Sequence, residues 1–308
     1  MKALVTGATG TIGRALEARL DGDTVVLSRD PEAARRALPR ATALGWNGVD
    51  DLPAGALEGV EAVFHLAGEP VAEGRWTEAK RARIKDSRVL GTRALVRSIA
   101  ARPAGERPRV IVSASAVGFY GSRGDEVLTE ASAPGEGFLP DVCRAWEDEA
   151  RAAEALGVRV VLLRVGIVLA REGGALARML PMFKLGVAGK LGRGDQYMPW
   201  IHVEDVVNLF VHAARTESIS GPVNAVSPEP VTNADFTRGL ARALARPAIF
   251  AAPAPVLKMA LGEMACVVLA SQRVLPERAV ASGFAFAFPS LDDALLDLVA
   301  VPATHAVA

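Results

Sequence analysis

The sequence predicts an α/β protein built on a doubly wound parallel sheet. Three observations carry that prediction. The chain opens with a short apolar run, a glycine-rich turn and a helical pattern, MKALVTGATGTIGRALEARL, which is the order strand, loop, helix. Further Val-, Ile- or Leu-rich runs follow at 24–27, 62–66, 109–113 and 159–164. They are nearly continuous in apolarity, as strands covered by helices on both faces read. Helical patterns at 12–20, 76–101 and 140–156 separate them, and this alternation belongs to parallel sheets.

The remaining elements follow in order. The Pro/Gly/Ala-rich stretch 101–108 reads as an exposed connection between helix and strand. After Gly166 the texture changes, with six glycines between 173 and 194 and prolines at 181 and 199. A strand at 200–205, a helix at 206–216 and a strand at 221–225 return to the first pattern. From 228 to about 299 the chain reads as helical, with a short aromatic strand at 284–288 (Phe-Ala-Phe-Ala-Phe). The predicted arrangement is a Rossmann-type sheet domain, 1–169 and 199–225, and a smaller, mostly helical C-terminal substrate lobe, 170–198 and 226–308.

Composition narrows the function classes. Half of the 308 residues are apolar, and 35 basic side chains balance 35 acidic ones. A chain without net charge has no global field to draw nucleic acid or an anionic membrane, so neither is expected as a partner. Cys143 and Cys266 are too few for a disulfide framework or a four-ligand zinc cluster, and no metal is expected. No secretory leader and no run of about 18 apolar residues is seen, so a cytoplasmic location is expected. His202-Val203-Glu204 lacks the cysteines of a deaminase zinc site, and 186–191 lacks the spacing of a P-loop.

The glycine loop carries the first chemistry. Gly7, Gly10 and Gly13 alternate with Ala8, Thr9, Thr11 and Ile12 between the first strand and first helix. Glycines there allow a tight turn and close approach of backbone N–H groups to a pyrophosphate. The spacing is GxxGxxG rather than the common GxGxxG, and its position supplies the specificity. The second strand ends in Ser28-Arg29, where an NAD site carries a carboxylate for the ribose 2′-hydroxyl. An arginine suits a 2′-phosphate instead, so NADP(H) is the expected cofactor. Asp30 is expected to point away from Arg29.

With these motifs, His65-Leu66-Ala67-Gly68 and the segment 113–121, the chain resembles the extended short-chain dehydrogenase/reductase superfamily. More narrowly it is similar to the atypical epimerase-like subgroup. Ala67-Gly68-Glu69-Pro70, Arg75-Trp76, Ser87-Arg88, 196–205, Val223-Asn224-Ala225 and 283–289 carry that narrower likeness over essentially the full length. The resemblance implies that Leu66, Ala67 and Gly68 line the pyrophosphate and nicotinamide ribose. It implies that Arg88 reaches phosphate or ribose oxygens, with Arg83 a weaker candidate, and that backbone at 165–168, Val168 included, flanks the nicotinamide. Lys80, Arg81 and Lys85 read as a solvated basic stripe.

Ordinary members of that superfamily use a Tyr and a Lys four residues later to move a proton as hydride moves. Here Tyr120 is followed at that spacing by Gly124, and Tyr197 by Ile201. The helix expected to carry the pair, 138–147, has neither residue. The remaining catalytic candidates are Glu69, expected as an acid with a carboxyl raised toward neutrality, and Ser115, which either holds a substrate oxygen or caps its own loop. Tyr120, Lys184, Arg193 and Gln196 are candidates for contact with a small polar substrate, a sugar derivative among the options. Two functions stay open. One is an NADP-dependent oxidoreductase or epimerase-like enzyme, and the other an NADP(H)-binding sensor without turnover. The resemblance leaves monomer and homodimer open.

Overall fold

The computed structural model describes residues 1–299; residues 300–308 of the range assigned to the smaller lobe lie outside the described residues. The first half runs β1 (Ala3–Thr6), α1 (Thr11–Arg19), β2 (Thr24–Ser28), α2 (Pro31–Ala37), β3 (Thr42–Gly45), β4 (Ala62–His65), α3 (Glu78–Ala100) and β5 (Val110–Ala116). Then come β6 (Val127–Leu128), α4 (Phe138–Arg151), β7 (Arg159–Val165), β8 (Ile167–Leu169), α5 (Gly174–Lys184), β9 (Tyr197–Met198), β10 (Trp200–His202) and α6 (Val203–Arg215). The chain continues through β11 (Gly221–Ala225), β12 (Val231–Thr232), α7 (Asn233–Leu244), α8 (Ala254–Leu261), α9 (Ala265–Leu269), β13 (Arg273–Val274), α10 (Glu277–Ala281) and α11 (Leu291–Val299).

Seven strands form one parallel sheet in the order β11-β7-β5-β4-β1-β2-β3. The chain winds outward from β1 in one direction and, beginning at β4, in the other. The sheet therefore switches direction between β1 and β4, where open α/β sheets bind ligands at the carboxyl ends of the strands. The burial of β1 and β4, four residues of four in each, explains their unbroken apolarity.

Two apolar layers sandwich the sheet. On one face Leu16 of α1 and Val206, Leu209 and Phe210 of α6 pack on Val5, Phe64 and Val112. On the other, Leu95 and Ile99 of α3 pack on Leu4, Val63 and Ile111. A separate cluster joins Leu176 and Phe183 of α5, Phe236 and Leu240 of α7, and Leu291 and Leu295 of α11. Thr232 and Asp235 start α7 with a reciprocal capping box.

Three expectations are corrected. The sequence reading missed α2 and β3, which extend the sheet beyond β2. The strand expected at 200–205 is only Trp200–His202 and pairs with β8 outside the main sheet. The aromatic run 284–288 is no strand. Its Ala287 and Phe288 N–H groups donate to the Asp205 carboxylate at 2.7 and 3.0 Å. Phe284 and Phe286 stack edge to face against the α6 side of the core. Alternating Phe and Ala mimics a strand, but a side chain of α6 takes the hydrogen bonds a neighbouring strand would supply. Among the described residues no helix is long and apolar enough to cross a membrane.

Candidate functional site

The glycine loop fills the turn between β1 and α1 and touches the end of β4. Gly7 has φ +70°, and a Cβ there would lie 2.8 Å from the Leu66 carbonyl. A Cβ on Gly13 would meet the Gly7 oxygen at 2.3 Å. Those two positions are glycine because the fold leaves no room. Gly10 differs: its Cβ would meet only the Gly7 oxygen, at 3.3 Å. As the N-cap of α1 it supplies no side-chain cap, so the N–H groups of the first helical turn stay available to an anion. Ile12 packs on the core, and Thr11 touches the entry to α5, where a Cβ on Gly173 would lie 2.4 Å from its hydroxyl. Val168, on β8, has its carbonyl beside Gly174. Thus α5 begins against the glycine loop.

A buried histidine fixes the neighbouring strand end. His65 is fully buried, with Nδ1 2.8 Å from Thr6 Oγ1 and Nε2 2.9 Å from Thr92 Oγ1. The Thr92 hydroxyl donates to the Arg88 carbonyl at 2.6 Å, so it accepts from His65 Nε2–H. The Thr6 hydroxyl then donates to Nδ1 and accepts the N–H groups of Leu66 and Ala67, both at 3.1 Å. Every position in the chain is filled only by a neutral imidazole, and burial lowers its pKa to about 4. This network sets the backbone of Leu66 and Ala67 beside Gly7.

Arg88 of α3 passes beneath Gly68, whose added Cβ would meet the guanidinium carbon at 3.0 Å. Its Nη1 donates to the carbonyls of Glu69 and Ile84, both at 3.0 Å, and the guanidinium lies 5.0 Å from the Trp146 ring centroid. It forms no carboxylate ion pair among the described residues, and burial lowers its pKa.

At the end of β2, the Ser28 hydroxyl donates to the Asp30 carbonyl and accepts the Asp30 N–H. The Asp30 carboxylate caps α2 by accepting the Ala33 N–H at 2.9 Å. Arg29 is exposed beside it. Arg14, one residue past the loop, donates to the Thr9 carbonyl at 2.9 Å; the sequence reading passed over it.

Glu69 corrects an expectation. Its N–H donates to Ser87 Oγ, and its carboxylate accepts Lys80 Nζ at 2.8 Å, with Arg83 Nε at 3.5 Å. The Lys80 hydrogen bond holds the carboxyl below its ordinary range, against a smaller opposing effect of burial. Lys80 is thereby buried and paired, not part of a solvated stripe. A carboxylate so held carries no proton to donate near neutral pH.

Ser115 and Tyr120 share a second buried network. The Ser115 hydroxyl donates to Glu147 Oε1 at 2.7 Å, and Arg164 clasps both Glu147 oxygens at 2.8 and 2.9 Å. Arg164 also donates to the Tyr120 hydroxyl at 3.0 Å and stacks on Phe119, while Tyr120 donates to Asn224 Oδ1 at 2.7 Å. Burial raises the phenol pKa. Both hydroxyl protons are therefore spent inside the protein. Sequence reasoning missed Glu147 and Arg164; the one available signal was a lone charge ending the apolar strand Val160-Val161-Leu162-Leu163.

The three lobe candidates do not converge. Lys184 is exposed at the last residue of α5, roughly 15 Å along the helix from its glycine-loop end. Arg193 is exposed and ion-paired with Asp195. The Gln196 amide is buried and donates to the carbonyls of Leu191 and Val268. Cys143 is buried on α4 near Arg88, and burial pushes its thiol up to about 12.

Comparison with known proteins gives the family. The family model of the NAD dependent epimerase/dehydratase family matches residues 3–225, and that of a domain of unknown function (DUF1731) matches 252–298. The chain is 41% identical to the chloroplastic epimerase family protein SDR39U1 homolog of Arabidopsis thaliana, covering 96% of this chain and 86% of the relative. It is 40% identical to the epimerase family protein MT2273 of Mycobacterium tuberculosis, over 94% and 95%. The crystal structure of the human epimerase family protein SDR39U1 with NADPH superposes with a TM-score of 0.87 at 32% identity, covering 97% of this chain and 99% of that one. With its glycine loop and switch-point sheet, the chain belongs to the NAD dependent epimerase/dehydratase family.

Proposed function

We propose that this chain binds NADP(H) and acts on a small polar, sugar-derived substrate as an oxidoreductase- or epimerase-like enzyme. The 2′-phosphate would meet Arg29 beside Ser28, and the pyrophosphate the N–H groups of Thr11, Ile12 and Gly13, approaching over Gly10, whose own N–H donates to the Gly7 carbonyl. The nicotinamide end would lie toward Leu66, Ala67, Gly68 and Val168. The cleft would lie between the sheet domain and the smaller lobe, 170–198 and 226–308. One observation carries the cofactor choice: the Asp30 carboxylate after β2 is turned into a helix cap, and the exposed Arg29 beside it would meet the ligand. The human relative solved with NADPH supports the same choice.

The cofactor supplies or accepts hydride when bound. Proton handling falls to the chain's own groups, and the geometry redistributes the expected roles. Glu69, as an ionised carboxylate, suits a base or an acceptor of a substrate hydroxyl. Ser115 has lone pairs but no free proton. Arg88 keeps N–H groups beyond the two carbonyl bonds of Nη1, which suits an oxygen gaining negative charge. Tyr120, its hydroxyl spent, supports the wall rather than touching substrate.

The spent hydroxyls also favour a second reading, an NADP(H)-binding sensor without turnover. Gly10→Val tests the binding site common to both: NADPH binding should vanish while the ligand-free melting temperature barely moves. Normal NADPH binding by Gly10→Val would move the site elsewhere. A screen of sugar nucleotides, ketones and aldehydes separates the readings, since the enzyme reading requires one to be turned over with NADPH oxidation.

A further inference from the structure

We propose that the smaller lobe carries a docking surface for an anionic phospholipid bilayer, formed by segments 179–192 and 245–261. The zero net charge conceals a local asymmetry. Between 173 and 194 and between 236 and 262 the chain has eight basic residues and no acidic one, balanced by an acidic excess elsewhere. Of the twelve large apolar side chains exposed among the described residues, seven fall in the same two stretches. Leu185, Ile249 and Met259 are 74%, 79% and 74% exposed.

The two segments are one surface. Gly186 lies against the Pro247 ring, Phe250 N–H donates to the Ala188 carbonyl at 3.3 Å, and Ala252 N–H donates to that of Lys190 at 2.9 Å. α8, Ala-Pro-Val-Leu-Lys-Met-Ala-Leu, buries none of its residues. Beside the apolar patch, a groove of about 450 Å³ is lined by Arg238, Arg242, Arg246 and Pro247. Arg238 and Arg242 are ion-paired with Asp235 and Asp292. Lys184, Arg246 and Lys258 form no ion pair among the described residues.

Side-chain chemistry favours lipid over protein. Protein interfaces carry about one hydrogen bond per 100–200 Å², which here falls to backbone groups, Lys and Arg alone. Segments 179–192 and 245–261 contain no Ser, Thr, Asn, Gln, Tyr, His or acid. Apolar, Gly and Pro residues with Lys and Arg are all they offer. Such a surface sets side chains at the acyl boundary and cations at lipid phosphates, with no carboxylate inside the two segments to repel them.

The test is co-sedimentation of the full chain with vesicles of phosphatidylcholine alone or mixed with phosphatidylglycerol. Binding is expected only to the mixed vesicles, weakening as salt is raised. Arg246→Glu/Lys258→Glu should weaken it about thirtyfold, and Ile249→Ser/Phe250→Ser by about tenfold or more. Unchanged melting temperature and NADPH affinity would show that these exposed substitutions leave the fold intact. No sedimentation of the parent, equal binding to both vesicles, or unaltered binding by both variants would overturn the proposal. So would a concentration-dependent dimer abolished by Ile249→Ser/Phe250→Ser, which would assign the surface to a second copy of the chain.

Discussion

Lowering the pH should destabilise this protein in measurable part through His65. In the unfolded chain its imidazole takes a proton below about pH 6.5. In the folded chain it resists until about pH 4, because protonation would put a positive charge in the core and strip Thr6 of its acceptor. Between those values the unfolded state binds the extra proton, so stability falls as pH falls. Above the unfolded pKa neither state is charged and His65 makes no pH-dependent contribution. At about 1.4 kcal/mol per pH decade, the difference between 6.5 and about 4 amounts to about 3 kcal/mol. Urea denaturation of the parent and of His65→Gln across this range gives the assay. His202, also pushed down by burial, contributes to both proteins and cancels in the comparison. The parent should lose about 3 kcal/mol more than the variant between pH 6.5 and 4. Parallel stability curves would refute the neutral, fully engaged imidazole.

Three further outcomes follow from the same geometry. Arg164→Leu leaves the buried Glu147 carboxylate with Arg151, 2.9 Å away, as its cation and should cost about 1.5–3 kcal/mol in urea denaturation, much of it regained when Glu147→Leu is added. Gly13→Ala places a Cβ 2.3 Å from the Gly7 oxygen, so its ligand-free melting temperature should fall and NADPH binding fail, unlike Gly10→Val, whose fold should persist. Glu69→Gln removes the ion pair that lowers the carboxyl pKa. The parent's stability advantage over it should be constant above about pH 4.5 and shrink as the pH falls through the folded-state pKa; an advantage that grows on acidification would restore Glu69 as a raised carboxyl.

The sheet was legible because strands buried on both faces must be apolar throughout, as Val5, Phe64 and Leu162 are. β3 escaped because Thr-Ala-Leu-Gly is too short and mixed to separate from a loop, although Asp30-Pro31 before it is a strong helix start. The 284–288 run misled because period two describes any extended segment with one packed face. The glycine loop was readable as a tight turn between strand and helix since its backbone chemistry is local. Glu147 with Arg164 and His65 with Thr6 were not, because residues 17 and 59 positions apart meet only through the topology. The sign of the Glu69 shift turned on Lys80, eleven positions along the chain. A basic residue there reads as solvated until α3 brings it under the loop.

The central claim is that this site accepts NADP(H) through an arginine at the end of β2. Calorimetric titration of the parent and of Arg29→Asp with NADPH and NADH tests it most directly. The parent should bind NADPH more tightly than NADH, and Arg29→Asp should erase or reverse the difference. Loss of that charge-assisted contact is expected to cost about 1.5–3 kcal/mol, roughly ten- to a hundredfold in affinity. Equal affinity of the parent for both dinucleotides, or an undiminished preference in Arg29→Asp, would contradict it.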